Sequence, residues 1–217
     1  MVTISTIIPT RNRPCLLIER AVRSVMAQTF LDWECLIVGD DTDPETVRLM
    51  AELTSFDSRF RFWNLPARER SSDPRERWLV SGAVAWNAGL AEARGDFRSY
   101  LADDDAYLPD HHAVLHAQAG AAAVTYGWSV LVASFGKRSS RIYGRGAEVH
   151  PYNIAQGSYL AHRSIDISAN PAPGDEAWDA PMWRRVIASG VRFQQVEQLV
   201  HEYHAAPENL AFQGFQW

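Results

Sequence analysis

Apolar positions along the chain alternate between strand-like runs and helical spacing. Residues 3–8 (TISTII) form a short, largely β-branched run that predicts a buried strand. Leu17, Ile18, Ala21, Val22, Val25 and Met26 recur at helical spacing and predict a helix. Residues 34–39 (ECLIVG) read as a second strand. Asp40, Asp41, Thr42, Asp43 and Pro44 end it and can cap a helix running to about Leu53. Residues 59–64 (RFRFWN) alternate as a third strand, residues 79–93 suit a helix stopped at Arg94-Gly95, and residues 97–101 form a fourth strand. Past residue 119 the pattern changes. Residues 121–128 and 130–135 read as paired strands, 137–145 as a basic glycine-containing loop, and 157–162 as another strand. A PAPG turn at 171–174 precedes a helix to about Ser189, and residues 192–196 and 199–204 close the chain as two short strands. No repeat or linker interrupts this series, so one domain over residues 1–217 is expected.

Strands alternating with helices argue for a mostly parallel sheet covered on both faces. Ligands bind beyond the carboxyl ends of the strands in such sheets. That rule gathers the loops at 9–14, 40–43 and 103–106 into one place. No GxGxxG follows the first strand, which disfavours the usual dinucleotide fold.

The third of these loops carries Asp103, Asp104 and Asp105 directly after a strand. Adjacent carboxylates repel each other and call for a cation. Hard divalent ions take oxygen ligands, and Mg²⁺ typically uses one or two carboxylates plus substrate phosphates. The triplet therefore suggests a metal that holds a phosphorylated ligand. The competing reading is a solvated acidic loop that caps the following helix through Asp110 or a neighbour.

Composition narrows the field further. The chain has 217 residues, 47% hydrophobic, enough for a real core. A net charge of −5 gives no electrostatic footprint for nucleic acid. Cys15 and Cys35 are too few for a disulfide framework and lack metal spacing; Cys35 is expected in the core and Cys15 at a helix start. No apolar run reaches the roughly 20 residues that span a bilayer. The first strand begins almost at Met1, which leaves no signal peptide, and a soluble cytoplasmic protein is expected, with peripheral membrane attachment left open.

Several segments together resemble one family. Residues 5–14 (STIIPTRNRP), 24–30 (SVMAQTF), 33–41 (WECLIVGDD), 87–91 (NAGLA), 93–97 (ARGDF) and 101–105 (LADDD) follow in the order seen in family 2 glycosyltransferases of GT-A fold. The likeness is strong over about residues 3–118 and weaker after. It implies a GT-A, Rossmann-like α/β fold: a mostly parallel central sheet flanked by helices, with a small mixed C-terminal region. Residues 1–118 would form the nucleotide-sugar half and residues 119–217 the acceptor half. The implied activity is metal-dependent transfer of a sugar from a nucleoside-diphosphate sugar, UDP-sugar by default, to an acceptor hydroxyl, with inversion by single displacement.

The resemblance also implies roles. Pro9, Thr10, Arg11, Asp40 and Asp41 would hold the nucleoside, with helix capping as the other role open to the two aspartates. Arg13 would be a solvated rim. The family often has an arginine where Trp86 stands here, so Arg77, then Arg75, is nominated for the diphosphate. Asp103 and Asp104 would contact the donor, and Asp103 and Asp105 would hold Mn²⁺ or Mg²⁺ with help from His204. Ala102 replaces a further acid of many relatives. The base that deprotonates the acceptor would come from Asp175, Glu176 or Asp179, with Asp175 first; the alternative for all three is complementing the helix dipole. His111 and His112 are expected at the surface, and Trp128, Trp178 and Trp183 in the core. The acceptor would be a sugar, a lipid-linked sugar or a small molecule, and a homodimer is allowed for. A catalytically silent nucleotide-sugar-binding protein on the same fold is the rival reading. A nucleotidyltransferase lacks its Gly-rich loop with a following lysine, and the early motifs argue against a phosphohydrolase. The ending at Phe215-Gln216-Trp217 suggests a minimal enzyme or a piece of a longer one.

Overall fold

The computed structural model describes residues 2–121, 123–132, 138–146, 148–172 and 174–204. The expectations for residues 133–135, for Lys137 and for the ending at 215–217 lie outside them.

Among the described residues, nine strands form one sheet. Its strands are β1 (Ile4–Thr10), β2 (Trp33–Asp40), β3 (Phe60–Leu65), β4 (Phe97–Tyr100), β5 (Ala106–Tyr107), β6 (Val124–Val132), β7 (Arg138–Tyr143), β8 (Tyr159–His162) and β9 (Phe193–His204). They lie in the order β3-β2-β1-β4-β8-β6-β9-β5, with β7 beside β6. The pairs β2–β3, β1–β2 and β1–β4 are parallel. The direction reverses where β8 joins β4, and β9 then runs parallel to β6.

Helix α1 is a continuous rod made of Pro14–Leu16, the wider-wound Leu17–Val22 and Arg23–Met26. It is followed by α2 (Pro44–Phe56), α3 (Pro74–Leu79), α4 (Ala83–Glu92), α5 (His111–Gln118) and α6 (Asp179–Ala188). Strand alternation assigns the two faces. Ile4 and Ile8 of β1, with Cys35 and Ile37 of β2, pack against Leu17, Val25, Met50 and Leu115 of α1, α2 and α5. Ile7 and Leu36 point the other way, onto Trp86 of α4 and the cluster that holds Met182 and Trp183 of α6. Every residue of β1 and β2 is buried, as central strands covered on both faces require. Cys35 is buried and Cys15 is exposed at the start of α1.

Four expectations need correction. The helix foreseen over 79–93 begins only at Ala83: Leu79 ends α3, and Gly82, in a left-handed conformation (φ 78°), turns the chain into α4. Asp73 caps α3 by accepting hydrogen bonds from the Arg75 and Glu76 amides. Where a strand pair was expected, the described residues form one strand, β6, through Val132, and the two closing strands are one strand, β9. Register shifts around Tyr126 and Trp128 absorb the polar residues 197–198 in place of a turn. His111 and His112 are fully buried, since α5 turns its His111, His112 and Leu115 face inward. The His112 Nε2 lies 3.1 Å from Thr6 Oγ1, His111 Nε2 lies 3.0 Å from the Gly157 carbonyl, and the His111 ring stacks on Tyr107 at 3.8 Å. Burial pushes His112 down to about 3, so it stays neutral at ordinary pH.

Candidate functional site

The carboxyl ends of β1, β2 and β4 open into one cleft of about 1060 Å³. Stretches from 68–77, 150–156 and 175–180 form its walls. The cleft brings together Pro9, Thr10, Arg11, Asp40, Arg77, Asp103, Asp104, Asp105, Asp175, Glu176 and Asp179. Among the described residues its lining does not include Asp41 or His204.

The Asp triplet is placed by two backbone devices. The Leu101 amide donates to the Ile7 carbonyl (3.0 Å), and the Asp105 amide donates to the Ala102 carbonyl (3.2 Å), which folds the turn. Asp103 Oδ2 accepts a hydrogen bond from Thr10 Oγ1 at 2.8 Å. The Arg13 guanidinium lies 2.8 Å from Asp104 Oδ2 and 3.5 Å from Asp103 Oδ1. Arg20, on the wider-wound part of α1, donates to the Asp104 carbonyl at 2.9 Å. Asp105 faces inward instead. Its Oδ1 accepts from the His204 backbone amide at 2.7 Å, and its Oδ2 lies 3.4 Å from His201 Nε2. The pairing of β5 with β9 sets this contact, with Ala106 opposite Glu202 and Tyr107 opposite His201. His201 is held in turn by Ser129 Oγ, 2.7 Å from its Nδ1. Gly157 leaves room for that ring: a Cβ there would stand 2.4 Å from His201 Nε2. His204 reaches Asp105 by its backbone, while its ring Nε2 sits 3.2 Å from Glu202 Oε2.

Two of these carboxylates, Asp103 and Asp104, are shifted upward. Burial raises Asp103, with Arg13 opposing. Burial, then repulsion from Asp105 and Asp103, lifts Asp104 to about 7. A cation would relieve both. The donor set is all carboxylate oxygen, which suits Mg²⁺ or Mn²⁺. No group of three metal-ligating side chains is preassembled among the described residues. The residues therefore fit an ion that takes one or two protein carboxylates and fills its remaining positions from a bound ligand or water.

Asp110 does not cap α5 with its side chain; its Oδ1 accepts from Thr29 Oγ1 at 2.9 Å. The capping alternative for the second loop falls to Asp43, whose Oδ1 accepts from the Thr46 amide at 2.7 Å. Asp40 instead anchors two arginines. Arg68 donates to its oxygens through Nε (3.1 Å) and Nη2 (2.9 Å). Arg70 Nη2 lies 2.9 Å from Asp40 Oδ1 and donates to the Asp40 carbonyl at 2.7 Å. Asp41 has a left-handed backbone (φ 57°) and stands 3.9 Å from Arg11 and 3.8 Å from Arg70. Asn12, also left-handed (φ 54°), ties the first two loops by accepting from the Asp43 amide at 2.8 Å. Arg77 donates to the carbonyls of Ser71 (2.9 Å) and Ser72 (2.7 Å), and Arg75 to the carbonyl of Asp175 (3.0 Å).

The three candidate bases have different surroundings. Asp175 is exposed at the cleft rim. Glu176 is gripped by Arg184 and by the Tyr152 hydroxyl (2.5 Å), and these bonds hold it down at about 2. Asp179 opens α6, half-buried, and burial pushes it up to about 6. Trp178 and Trp183 are buried as expected, and Trp128 is half-buried. Trp178 closes the floor, its Nε1 donating to the Ser81 carbonyl at 2.9 Å.

Sequence reasoning missed Arg13, Arg20, Arg68, Arg70, Tyr152 and His201 as neighbours of these groups. Arg68 and Arg70 had a signal, because the 68–77 stretch is dense in arginine opposite an acidic loop. Tyr152 and His201 had none, because their placement depends on long-range pairing.

A family model described as glycosyl transferase family 2 matches residues 5–141. A GalNAc(5)-diNAcBac-PP-undecaprenol beta-1,3-glucosyltransferase of Campylobacter jejuni is 27% identical over 148 residues, 68% of this chain and 44% of that protein. The chain thus spans less than half the length of this relative. A crystal structure of S. aureus TarS in complex with UDP-GlcNAc superposes with a TM-score of 0.69 at 16% identity, covering 94% of this chain and 59% of that one. A mannosyltransferase, PcManGT from Pyrobaculum calidifontis, in complex with GDP-Man and Mn²⁺, gives 0.66 at 13% identity, covering 94% and 57%. These two likenesses establish a shared GT-A-type fold.

Proposed function

The chain belongs to glycosyl transferase family 2, and from that premise we propose that it moves a sugar from a nucleoside-diphosphate sugar to an acceptor hydroxyl. The observation that carries this reading is the meeting, in one cleft, of an Asp triplet with two carboxyls shifted upward and a separate carboxylate tuned to about 6. The UDP-GlcNAc and GDP-Man complexes of the two structural neighbours support a nucleotide-sugar donor, with UDP-sugar as the default.

In this reading, the loops at 9–13 and 40–41 meet the nucleoside. Arg11, Arg68 and Arg70 line the same cleft and would meet the donor there, and Asp40 fixes the last two in place. Thr10 orients Asp103. Asp103 and Asp105, with Asp104 beside them, would hold Mg²⁺ or Mn²⁺, which supplies charge neutralisation for the leaving diphosphate. The His204 ring, occupied by Glu202, contributes less than its backbone does.

Asp179 is the base. A group near 6 is ionised at neutral pH yet still basic enough to accept a hydroxyl proton as the bond forms. Glu176, fixed by Arg184 and Tyr152, is too weak a base and serves to shape the wall. A single displacement with inversion is the simplest course for one base and one leaving group on one domain. The lipid-linked substrate in the name of the Campylobacter relative keeps such acceptors, and peripheral membrane contact, within the proposal. No described helix is long and apolar enough to cross a membrane.

Donor turnover tests the reading. UDP-glucose, UDP-GlcNAc, GDP-mannose and dTDP-glucose are each incubated with the protein, Mn²⁺ and simple glycoside acceptors, and released nucleotide is measured. One donor is expected to turn over, and EDTA is expected to lower its rate at least about 100-fold, reversibly. Nucleotide binding without any turnover would favour the silent-binder reading instead.

A further inference from the structure

We propose that the 150–156 wall of the cleft is a saccharide subsite, with Tyr152 as the stacking platform and Gln156 as the hydroxyl-reading amide, so that the acceptor is a pyranoside. This rests on the transferase reading and names its acceptor class. Tyr152 is 57% exposed, whereas Trp178 and Tyr100, two further aromatic groups of the cleft, are 6% and 8% exposed. An open aromatic ring in water loses the gain of burial, and it offers a flat apolar face to a ligand.

The ring is also pinned. Its hydroxyl donates to Glu176 Oε2 at 2.5 Å and accepts from Arg184 Nη2 at 3.0 Å. Arg184 and Glu176 are themselves paired. The ring's orientation is therefore set before any ligand arrives, which lowers the ordering cost of binding. The clamp residue Glu176 lies three residues before Asp179 in the chain. The platform is thus fastened to the wall that carries the base.

Gln156 supplies the polar part. It lines the cleft, and both its Oε1 and Nε2 are buried without a hydrogen-bond partner among the described residues. A buried amide left unpaired is costly. An amide offers one acceptor and two donors, which matches adjacent ring hydroxyls. Pyranosides combine both needs: axial C–H groups make one face apolar, and the edge carries hydroxyls.

The test uses the full chain with Mg²⁺ and each of UDP, GDP, dTDP and CDP. Methyl glycosides of glucose, galactose, mannose and N-acetylglucosamine are titrated in by saturation-transfer NMR, with sorbitol as an open-chain polyol of similar hydroxyl content. At least one pyranoside is expected to bind, with saturation strongest on its ring-face protons. Tyr152→Ala should weaken it about tenfold, and Tyr152→Phe should stay within about threefold because the ring remains. Gln156→Met should also weaken it while leaving Tm unchanged or higher, since no protein hydrogen bond is lost. The inference is overturned if no pyranoside binds, if sorbitol binds equally well, or if Tyr152→Ala changes nothing. A lowered Tm with unchanged glycoside affinity in Gln156→Met would remove that residue from the subsite. Nucleotide affinity, read in the same samples, separates the outcomes: glycoside failure with nucleotide bound sinks the subsite alone, and nucleotide failure sinks the donor reading.

Discussion

Replacing Asp179 with asparagine is expected to lower kcat for sugar transfer by about 10²–10⁴-fold, the usual contribution of a positioned general base. Asparagine keeps the shape and cannot take the proton. The pH profile adds a second signature. Burial raises Asp179 from 3.8 to about 6, and a base works only when ionised. The rate should therefore climb between about pH 5 and 7 and level off above. That climb should vanish from the residual activity of Asp179→Asn.

Stability should move the opposite way. The folded state binds Asp179's proton more tightly than the unfolded chain does. Between 3.8 and about 6 it holds more protons, so stability falls as pH rises through that window. Asp179→Asn removes this penalty and is expected to raise Tm at pH 7. Stability gained with activity lost is the pattern of a group held in place for chemistry. Wild-type kcat in Asp179→Asn would remove this residue as the base. Asp175→Asn would then be the next variant to measure, since Glu176 is locked to Arg184.

The second large effect is at Asp105. Asp105→Ala should weaken metal-dependent nucleotide binding at least about 100-fold, because it takes a charge from the ion's place. The alanine variant has a confounding cost. It leaves the His204 amide without its acceptor, worth about 1–3 kcal/mol of stability for a buried group. Asp105→Asn separates the two. Its amide oxygen can still accept from the His204 amide, so the fold stands, but the charge is gone. Calorimetry with Mn²⁺ should show the asparagine variant binding nucleotide as weakly as wild type does in EDTA. Wild-type affinity in Asp105→Asn would mean that Asp105 only braces β9 against β5.

Much of this architecture was legible along the chain. The buried strands and the loops they end in could be read because a parallel sheet needs continuous apolar runs, and because Asp and Asn gather where strands stop. The loops at 9–14, 40–43 and 103–106 were placed together on that ground, and residues of all three line one cleft. The C-terminal part was less readable for a physical reason. Strands β6 and β9 contain polar and glycine positions that look like breaks. Gly127 is instead a close approach, since a Cβ there would meet Val200 at 2.8 Å. The histidines misled for a related reason. Polarity suggests a surface, yet His111 and His112 find partners in the core that no local pattern reveals. The surroundings of the three candidate bases differ through contacts that spacing alone does not show: Asp175 is exposed, Glu176 is held by Arg184 and Tyr152, and Asp179 is half-buried.

The most direct test of the donor site is calorimetric titration of UDP, GDP, dTDP and CDP into the protein, first with Mn²⁺ and then with EDTA. The account predicts that one nucleotide binds far more tightly than the others with Mn²⁺ and loses that affinity in EDTA. Failure of all four to bind with the metal present would contradict it.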